Sequence, residues 1–219
     1  MSALDDLVRS GKVRYVGISD APAWKVAQAQ VMAHFRGWDP LIGLQIEYSL
    51  MERTVEGELV PMAEELGLGV LPWGPLNSGK LTGKYTRANG AKMQGLRGAR
   101  AGDLTEKQYD IIDVVGKVAA ERDTDSSAVA LAWLKARPGV SSTIIGVRTL
   151  AQLEANLKAL DLTLTPEQMT SLDNVSKPEL NFPADFLTHS PSYSHAGATV
   201  NGVPSQLTFL VPKDDSSRW

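Results

Sequence analysis

Short apolar runs alternate with amphipathic segments along most of the chain. The runs are rich in Val, Ile and Leu over about four to eight positions, which is typical of strands buried on both faces. They cover residues 14–19, 41–48, 68–73 and 142–147. The segments between them carry apolar residues three and four positions apart, as amphipathic helices do. The pattern therefore predicts four strands, each followed by at least one helix.

Residues with known preferences for helix ends mark the helix boundaries. Pro22 stands in a predicted first turn, where its missing N–H costs little, and Gly37 and Gly67 are expected to end helices. Thr105 and Thr165 each have a glutamine three positions later, which is the pattern of a capping box. Helices are predicted over about residues 3–10, 22–36, 56–66, 105–122, 126–137 and 150–160, and from residue 165 onward.

Two stretches of the chain lack this periodicity. Residues 74–103 are rich in Gly, Lys and Arg, and a loop of this length is often a lid or a binding loop. From Lys177 onward the chain is rich in Pro, Ser and Asn and is expected to form a surface tail. The predicted organisation is one compact domain over residues 1–176 and a C-terminal tail over residues 177–219.

The alternation of strands and helices predicts right-handed βαβ units and a parallel sheet. Four such units form half of an eight-fold (β/α) barrel, which typically needs ~250 residues, whereas this chain has 219. A complete small doubly wound α/β domain is the alternative. Against that alternative, no glycine-rich strand-to-helix turn of the dinucleotide-binding type is found in the sequence.

Composition excludes several classes of protein. Hydrophobic residues make up 43% and charged residues 21% of the chain, as in ordinary globular proteins. The net charge of -3 argues against a nucleic-acid partner, and the lack of cysteine excludes disulfides and thiolate metal sites. No apolar run approaches the ~20 residues of a membrane span, and the first residues lack the apolar core of a signal peptide. A soluble cytoplasmic protein without a metal site is expected.

Polar and aromatic residues stand at the carboxyl ends of all four predicted strands. Ser19 and Asp20 end the first strand, Gln45 lies near the end of the second, Trp73 ends the third, and Arg148 follows the fourth. Each residue alone could be a helix cap or a packing residue, and Asp20 could simply cap the next helix. Parallel α/β proteins bind ligands at this edge, so the four together predict a ligand site there.

Four long segments resemble aldo-keto reductases. The segments GKVRYVGISD, LQIEYSL, ELVPMAEELGLGVLPWGPLNSGKLTGKY and STIIGVRTLAQLEANL are similar to successive parts of that family. The similarity extends to about residue 186 and is greatest to the branch with aryl-alcohol dehydrogenase-like enzymes and potassium-channel β subunits. The resemblance implies that the predicted strands are the fifth to eighth of a TIM barrel. The chain would then be the C-terminal half of a (β/α)8 barrel and would carry most of an NADP(H) site.

The resemblance assigns four residues to the nicotinamide end of that site. Ser19 and Asp20 match a Ser-Asn pair that holds the nicotinamide carboxamide. Asp20 lacks the amide donor of asparagine, although its carboxylate can accept from the carboxamide N–H. Gln45 matches a glutamine that contacts the same carboxamide, and Trp73 matches an aromatic residue that stacks on the nicotinamide ring.

The resemblance assigns a second set of residues to the phosphates and the adenosine. Arg148 is expected to bind the 2′-phosphate, because a guanidinium fork matches its geometry, and this favours NADPH over NADH. Lys84 is expected to supply charge beside the pyrophosphate. Ala155 stands where many members have a glutamate facing the adenine, so that contact is not expected. The implied residues are Gly74, Pro75, Leu76, Ser78 and Lys84 along the pyrophosphate, and Gly146, Arg148, Gln152 and Asn156 around the adenosine.

Four basic residues in the long loop have two possible roles. They could close over the pyrophosphate of a bound nucleotide, or they could belong to a solvated loop. They are Arg87, Lys92, Arg97 and Arg100.

The residues that transfer the proton in this family have no match in the chain. The family uses Asp, Tyr, Lys and His, and the resemblance places all four on strands that precede this sequence. His34, His189 and His195 lie in a predicted surface helix or in the tail. Tyr48 has no neighbouring lysine to lower a phenol pKa of ~10. No catalytic residue is therefore predicted, and carbonyl reduction by the chain alone is expected to be very weak or absent.

A half barrel would leave its inner strand face and both edge strands uncovered. We therefore expect a homo-oligomer, or a separate chain that supplies the N-terminal half barrel. The first methionine matches the interior of a family helix, which is consistent with a gene fragment or with internal initiation. The residues expected on the uncovered face are Val16, Ile18, Leu44, Ile46, Val70 and Ile144.

Three functions remain open at this point. The first is an oxidoreductase that reduces aldehydes or ketones with NADPH once the missing catalytic half is supplied. The second is a non-catalytic nucleotide-binding or regulatory module, and the third is an inactive fragment that persists as an oligomer. A nucleotide titration separates the third from the other two, and a turnover assay separates the first from the second.

Overall fold

A three-stranded parallel sheet lies at the centre of the first of two units. The computed structural model describes residues 1–87, 104–195, 197–200 and 202–206, and its contacts divide the chain into residues 1–178 and 179–219. The sheet consists of β1 (Val16–Ser19), β2 (Leu41–Glu47) and β3 (Gly69–Trp73), in that order in space as well as in sequence. The prediction of parallel βαβ units is confirmed for these three strands.

Most helices of the first unit lie where the sequence predicts them. Both predicted capping boxes are present, with Thr105 and Thr165 each accepting the backbone N–H of the glutamine three residues later. Pro22 precedes its helix as the capping residue instead of lying in the first turn. The helices are α1 (Ser2–Arg9), α2 (Ala23–Arg36), α3 (Leu59–Glu65), α4 (Glu106–Glu121), α5 (Ser126–Lys135), α6 (Leu150–Leu157) and α7 (Pro166–Val175), with short 3-10 turns at Thr54–Glu56, Asn77–Thr82 and Lys158–Leu160.

The helix predicted over residues 56–66 is present but begins later than expected. The chain forms a 3-10 turn at Thr54–Glu56, and α3 begins only at Leu59. Pro61 explains the late start, because a proline is tolerated in the first turn of a helix but clashes with the preceding turn further inside.

The prediction of a regular fourth strand over residues 142–147 is wrong, although the segment lies where that strand was expected. The Ser141 N–H donates to the Val70 carbonyl at 2.9 Å, and the Ile144 N–H donates to the Pro72 carbonyl at 2.8 Å. Three residues on one side therefore span two on the other. One extra residue interrupts the ladder in the manner of a bulge, so the chain runs beside β3 without forming a continuous strand.

Buried and exposed side chains alternate along the strands, and the buried ones lie on the face that the helices cover. The prediction that Leu44, Ile46 and Val70 lie on an uncovered face is wrong, since all three are at most 1% exposed. They belong to one core with residues of α2, α3, α4 and α5, against which Val16 and Ile18 also pack. Ile144 is 39% exposed. The error is one of register, because a shift of one position exchanges the two faces of a strand.

The opposite, open face of the sheet carries small and polar side chains. Gly17 pairs with Gly43, and Ser19 pairs with the exposed Gln45. A Cβ atom on Gly17 would stand 2.9 Å from the carbonyl oxygen of Gly43, so the strands approach too closely there for a larger residue. Helices cover most apolar side chains of the sheet, whereas Ile42 is 47% exposed and Leu71 and Trp73 are only partly buried. Exposure of core residues is therefore not a reason for the chain to self-associate.

The second unit falls within the predicted C-terminal tail and contains regular structure. A helix, α8 (Ala184–Ser194), is followed by a short antiparallel pair, β4 (Thr199–Val200) and β5 (Val203–Pro204). Within the described parts of both units, none of the helices has the length and apolar composition that crossing a membrane requires.

Candidate functional site

Four of the predicted site residues come together at the carboxyl ends of β1, β2 and β3. Ser19 pairs with Gln45, and the Asp20 N–H donates to the Gln45 carbonyl at 3.1 Å, which extends the ladder by one residue. The indole N–H of Trp73 donates to the Asp20 carboxylate at 2.9 Å. The three strands thus place a hydroxyl, a carboxylate, an amide and an indole at one edge of the sheet.

Local backbone conformation turns the chain sharply at two of these strand ends. Asp20 adopts a left-handed conformation, with φ of 50°, and Asp is one of the few residues other than glycine that does so readily. Gly74 follows Trp73 with φ of 64°, a conformation that suits glycine. Both turns let the chain leave the strand immediately after the site residue, so the side chains stay at the edge.

A depression of about 390 Å³ opens beside Asp20 and Trp73, and two further carboxylates line it. Glu47 and Glu52 are not singled out from the sequence alone. Burial raises the pKa of Glu47, repulsion from Glu52 and Asp20 raises it further, and Lys80 opposes the shift. The sequence did contain a pointer to Glu47, because it follows Gln45 by two positions and so shares its face of the strand.

Lys80 is a third residue that is not singled out from the sequence alone. It lies in the 3-10 turn Asn77–Thr82 and is only 6% exposed. Burial lowers the pKa of its ammonium group, while the Glu47 carboxylate opposes that shift. A lysine in a glycine-rich loop is expected to be solvated, and no periodicity in such a loop reveals its burial.

The predicted pyrophosphate residues follow Trp73 directly. Gly74 and Leu76 are partly buried, Pro75 is buried, and Ser78 and Lys84 are exposed. Ser78 has φ of 56°, so the backbone of this turn is strongly curved. The Lys84 side chain is exposed and forms no hydrogen bond or ion pair with the residues that the structure describes.

One small apolar cluster holds this turn and the segment beside β3. The cluster consists of Ala128, Leu131 and Ala132 of α5 together with Ala159, and both Leu76 and Ile145 pack against it. The predicted pyrophosphate residue Leu76 and Ile145, which precedes the predicted adenosine residue Gly146, therefore pack against the same helix.

The predicted adenosine residues lie in and after the segment beside β3. Gly146 and Arg148 are exposed, Gln152 is partly buried, and Asn156 is 7% exposed. The side-chain oxygen of Gln152 accepts the backbone N–H of Arg148 at 2.9 Å, so Gln152 shapes the turn from within the protein. The Arg148 guanidinium has no hydrogen-bond or ion-pair partner among the described residues and can receive an anion.

Of the four basic loop residues with two possible roles, the structure describes Arg87, which binds carboxylates of α4. Arg87 donates to Glu106 and Asp110 at 2.5 Å each and to Asp113 at 2.9 Å, all three on α4. These hydrogen bonds, led by the one to Glu106, raise the pKa of Arg87. Arg87 is thus bound to the protein's own carboxylates. Lys92, Arg97 and Arg100 lie outside the described residues.

Neither Tyr48 nor His34 lies at this edge. Tyr48 is 1% exposed, its O–H donates to Glu56 at 2.7 Å, and it accepts from Arg137 at 3.3 Å. Burial and the bond to Glu56 raise its pKa. His34 is exposed at the end of α2, and His189 and His195 belong to the second unit. The described residues also contain no group of three side chains placed to hold a metal ion.

Comparison with known proteins identifies the family to which the chain is similar. The model of the aldo/keto reductase family matches residues 1–177. A probable aryl-alcohol dehydrogenase of Saccharomyces cerevisiae is 29% identical over 214 residues, which are 95% of this chain and 64% of that protein. An uncharacterized oxidoreductase of Bacillus subtilis is 39% identical over 173 residues, 79% of this chain and 52% of that protein.

A third relative is named as a reductase of norsolorinic acid. The norsolorinic acid reductase of Emericella nidulans is 33% identical over 195 residues, which are 89% of this chain and 49% of that protein. The chain therefore spans between about half and two thirds of the length of these three relatives.

Proposed function

The chain belongs to the aldo/keto reductase family, and from this premise we propose that the carboxyl edge of its sheet binds a nicotinamide dinucleotide. The family generally uses such cofactors. The observation that carries the proposal is the meeting of Ser19, Asp20, Gln45 and Trp73 at one edge, joined by backbone and indole hydrogen bonds.

The chemistry of the edge fits a molecule with a flat polar ring at one end and phosphates at the other. Trp73 offers an aromatic face and Gln45 an exposed amide, which suit a nicotinamide carboxamide. The carboxylates of Asp20 and Glu47 would repel phosphates from this end. Lys84 and Arg148 carry positive charges that no described residue neutralises, so the phosphates belong at their end of the site.

A bound nicotinamide would supply the hydride for carbonyl reduction. Ser19 and Gln45 would hold its carboxamide, Trp73 would support the ring, and Gly74, Pro75, Leu76 and Ser78 would let the backbone approach the pyrophosphate. Gly146, Arg148 and Asn156 would surround the adenosine, with Gln152 supporting the Arg148 turn. We propose NADPH as the preferred nucleotide, because the Arg148 guanidinium suits a 2′-phosphate.

We further propose that this chain provides the cofactor-binding part of a reductase for aldehydes or ketones. It would correspond to the fifth to eighth strands of a (β/α)8 barrel, and another segment or chain would supply the proton donor. The printed names of the relatives, an alcohol dehydrogenase and a reductase, support redox chemistry between alcohols and carbonyls. A non-catalytic nucleotide-binding module is the second candidate, favoured by the burial of Tyr48 away from the edge.

A partner is proposed on the evidence of the sheet edge. Among the described residues, β1 pairs only with β2, so its other side presents unpaired backbone groups. A second copy of the chain, or a separate N-terminal half barrel, would cover this edge and the open face.

The experiment for NADPH preference is the substitution Arg148→Ala. The variant should bind NADPH more weakly by ~1–3 kcal/mol, the usual loss for a hydrogen bond to a charged group, and should bind NADH nearly as before. Titration calorimetry with each nucleotide measures both effects. Arg36→Ala, which removes an exposed arginine at the end of α2, is the matched control and should change neither affinity. Equal loss for the two nucleotides would remove the 2′-phosphate assignment.

A further inference from the structure

The hydrogen bond between Trp73 and Asp20 joins the two outer strands of the sheet. Trp73 ends β3 and Asp20 follows β1, and β2 lies between them. Neighbouring strands are ~4.8 Å apart, so β1 and β3 are separated by roughly twice that distance. The indole N–H nevertheless reaches the Asp20 carboxylate at 2.9 Å. The indole must therefore extend across the carboxyl end of β2.

The indole lies on the open face of the sheet, where a ligand can approach it. Trp73 pairs with Glu47, and Glu47 shares a face with the exposed Gln45, two positions earlier. Trp73 itself is only partly buried. An indole in this position presents one side to the strand ends and leaves the other for a flat ring.

We propose that Asp20 is a positioning residue, which acts on the bound nucleotide through Trp73 instead of contacting the nicotinamide carboxamide. This inference rests on the proposed nucleotide site and changes the role that the family resemblance implies for Asp20. In the resemblance, this position belongs to a pair that holds the carboxamide. Here the Oδ1 atom of its carboxylate accepts from the indole at 2.9 Å, and we assign the recognition of the carboxamide to Ser19 and Gln45.

The two side chains are chemically matched for this role. An indole N–H is a donor only and a carboxylate is an acceptor only, so the orientation of the hydrogen bond is unambiguous. A hydrogen bond to an ionised acceptor is also stronger than one between neutral groups. Phenylalanine at position 73 would have no donor, and alanine at position 20 would have no acceptor. Fixing the indole before binding reduces the conformational entropy that the nucleotide must otherwise remove.

A double-mutant cycle on NADPH affinity tests the inference. In the otherwise unchanged chain, Asp20→Ala should weaken NADPH binding roughly threefold to tenfold, which corresponds to the loss of about one hydrogen bond. In a Trp73→Phe background the same substitution should have no further effect, because the group it acts through is gone. An equal loss in both backgrounds would show that Asp20 contacts the nucleotide directly and would overturn the proposal.

Ser19→Ala is the matched control for the cycle. Ser19 precedes Asp20 and is proposed to contact the carboxamide itself, so its loss should be the same in both backgrounds. Asp20→Asn retains a side-chain oxygen that can accept from the indole and should restore most of the affinity. Failure of Asp20→Asn to bind better than Asp20→Ala would contradict the hydrogen-bond role.

Indole fluorescence without nucleotide separates this inference from the proposed function. Asp20→Ala should increase quenching by acrylamide and shift the emission, because the Trp73 indole becomes mobile. Both changes should vanish in the Trp73→Phe background, where the other tryptophans report alone. If the unchanged chain binds no NADPH, the proposed function fails while this measurement still tests the Asp20–Trp73 pair. Unchanged quenching in Asp20→Ala would overturn the pair.

Discussion

Tyr48 follows β2 and Trp73 ends the neighbouring strand β3, and the two side chains lie on opposite sides of the sheet. Trp73 lies on the open face beside Gln45, whereas Tyr48 faces the helices and is 1% exposed. The Tyr48 hydroxyl donates to Glu56, and burial together with this bond raises its pKa. A phenol whose pKa is raised releases its proton less readily, so Tyr48 is poorly suited to protonate a substrate.

We predict that Tyr48→Phe changes stability and leaves the nucleotide site intact. The loss of the hydroxyl removes the bond to Glu56 and leaves the Nε group of Arg137 without its acceptor. The free energy of unfolding should fall by about 1–2 kcal/mol, measured by urea denaturation. The NADPH dissociation constant should not change. A large loss of NADPH affinity in a fully folded variant would place Tyr48 in the site after all.

Single residues differ in how far the sequence could predict them. The positions of Ser19, Asp20, Gln45 and Trp73 follow from strand ends, which the apolar runs mark well. Tyr48 lies three positions after Gln45 and so points to the opposite face, which the two-residue period of a strand already indicates. The burial of Lys80 could not be predicted, because it depends on how a glycine-rich turn folds against other parts of the chain.

Among the helices and strands, a partly buried ionic cluster around Trp133 connects the chain after β2 to α5 and α7. The guanidiniums of Arg53 and Arg137 lie 5.0 Å and 5.1 Å from the centre of the Trp133 ring. Glu56 accepts two hydrogen bonds from Arg53, and Asp173 accepts from Arg137 and from the Trp133 N–H. Every charged group in the cluster therefore has an opposite charge, which is the condition for burying ions without a large penalty.

We predict that Arg53→Met destabilises the fold far more than Arg87→Met. Both arginines bind carboxylates, but Arg53 is 7% exposed whereas Arg87 is exposed. Removing Arg53 leaves the half-buried Glu56 without the guanidinium that donates two hydrogen bonds to it. The free energy of unfolding should therefore fall by about 3 kcal/mol. The loss in Arg87→Met should be much smaller, because water and salt screen an exposed pair. Urea denaturation of both variants measures the difference, and equal losses would show that burial of the cluster does not matter.

Predictability also varied among the helices and strands. The capping boxes of α4 and α7 were predicted because they depend only on residues three positions apart. Pro61 indicates a late start of α3, but the apolar pattern extends further upstream and predicts an earlier one. The interrupted ladder of residues 141–144 depends on a bulge against β3, which no local pattern records.

At the scale of the whole molecule, the argument for a partner depends on which side chains lie on the open face of the sheet. The expectation of a large apolar surface is wrong, since Leu44, Ile46 and Val70 are buried under helices. The free backbone of β1 and the polar open face remain to be covered. The sequence predicted the parallel architecture from alternation, but it could not assign the faces, because a continuous apolar run gives no side a preference.

Sedimentation equilibrium with NADPH tests the central claim most directly. Protein and nucleotide are followed separately by their absorbance. The account predicts that NADPH sediments with the protein, with a dissociation constant of about 1 µM to 100 µM, and that the particle exceeds the 23.6 kDa of one chain. If NADPH sediments with a particle of one chain, that result would contradict self-association but not the nucleotide site. NADPH that fails to sediment with the folded protein even at about 1 mM would contradict the proposal that this sheet edge is a nicotinamide dinucleotide site.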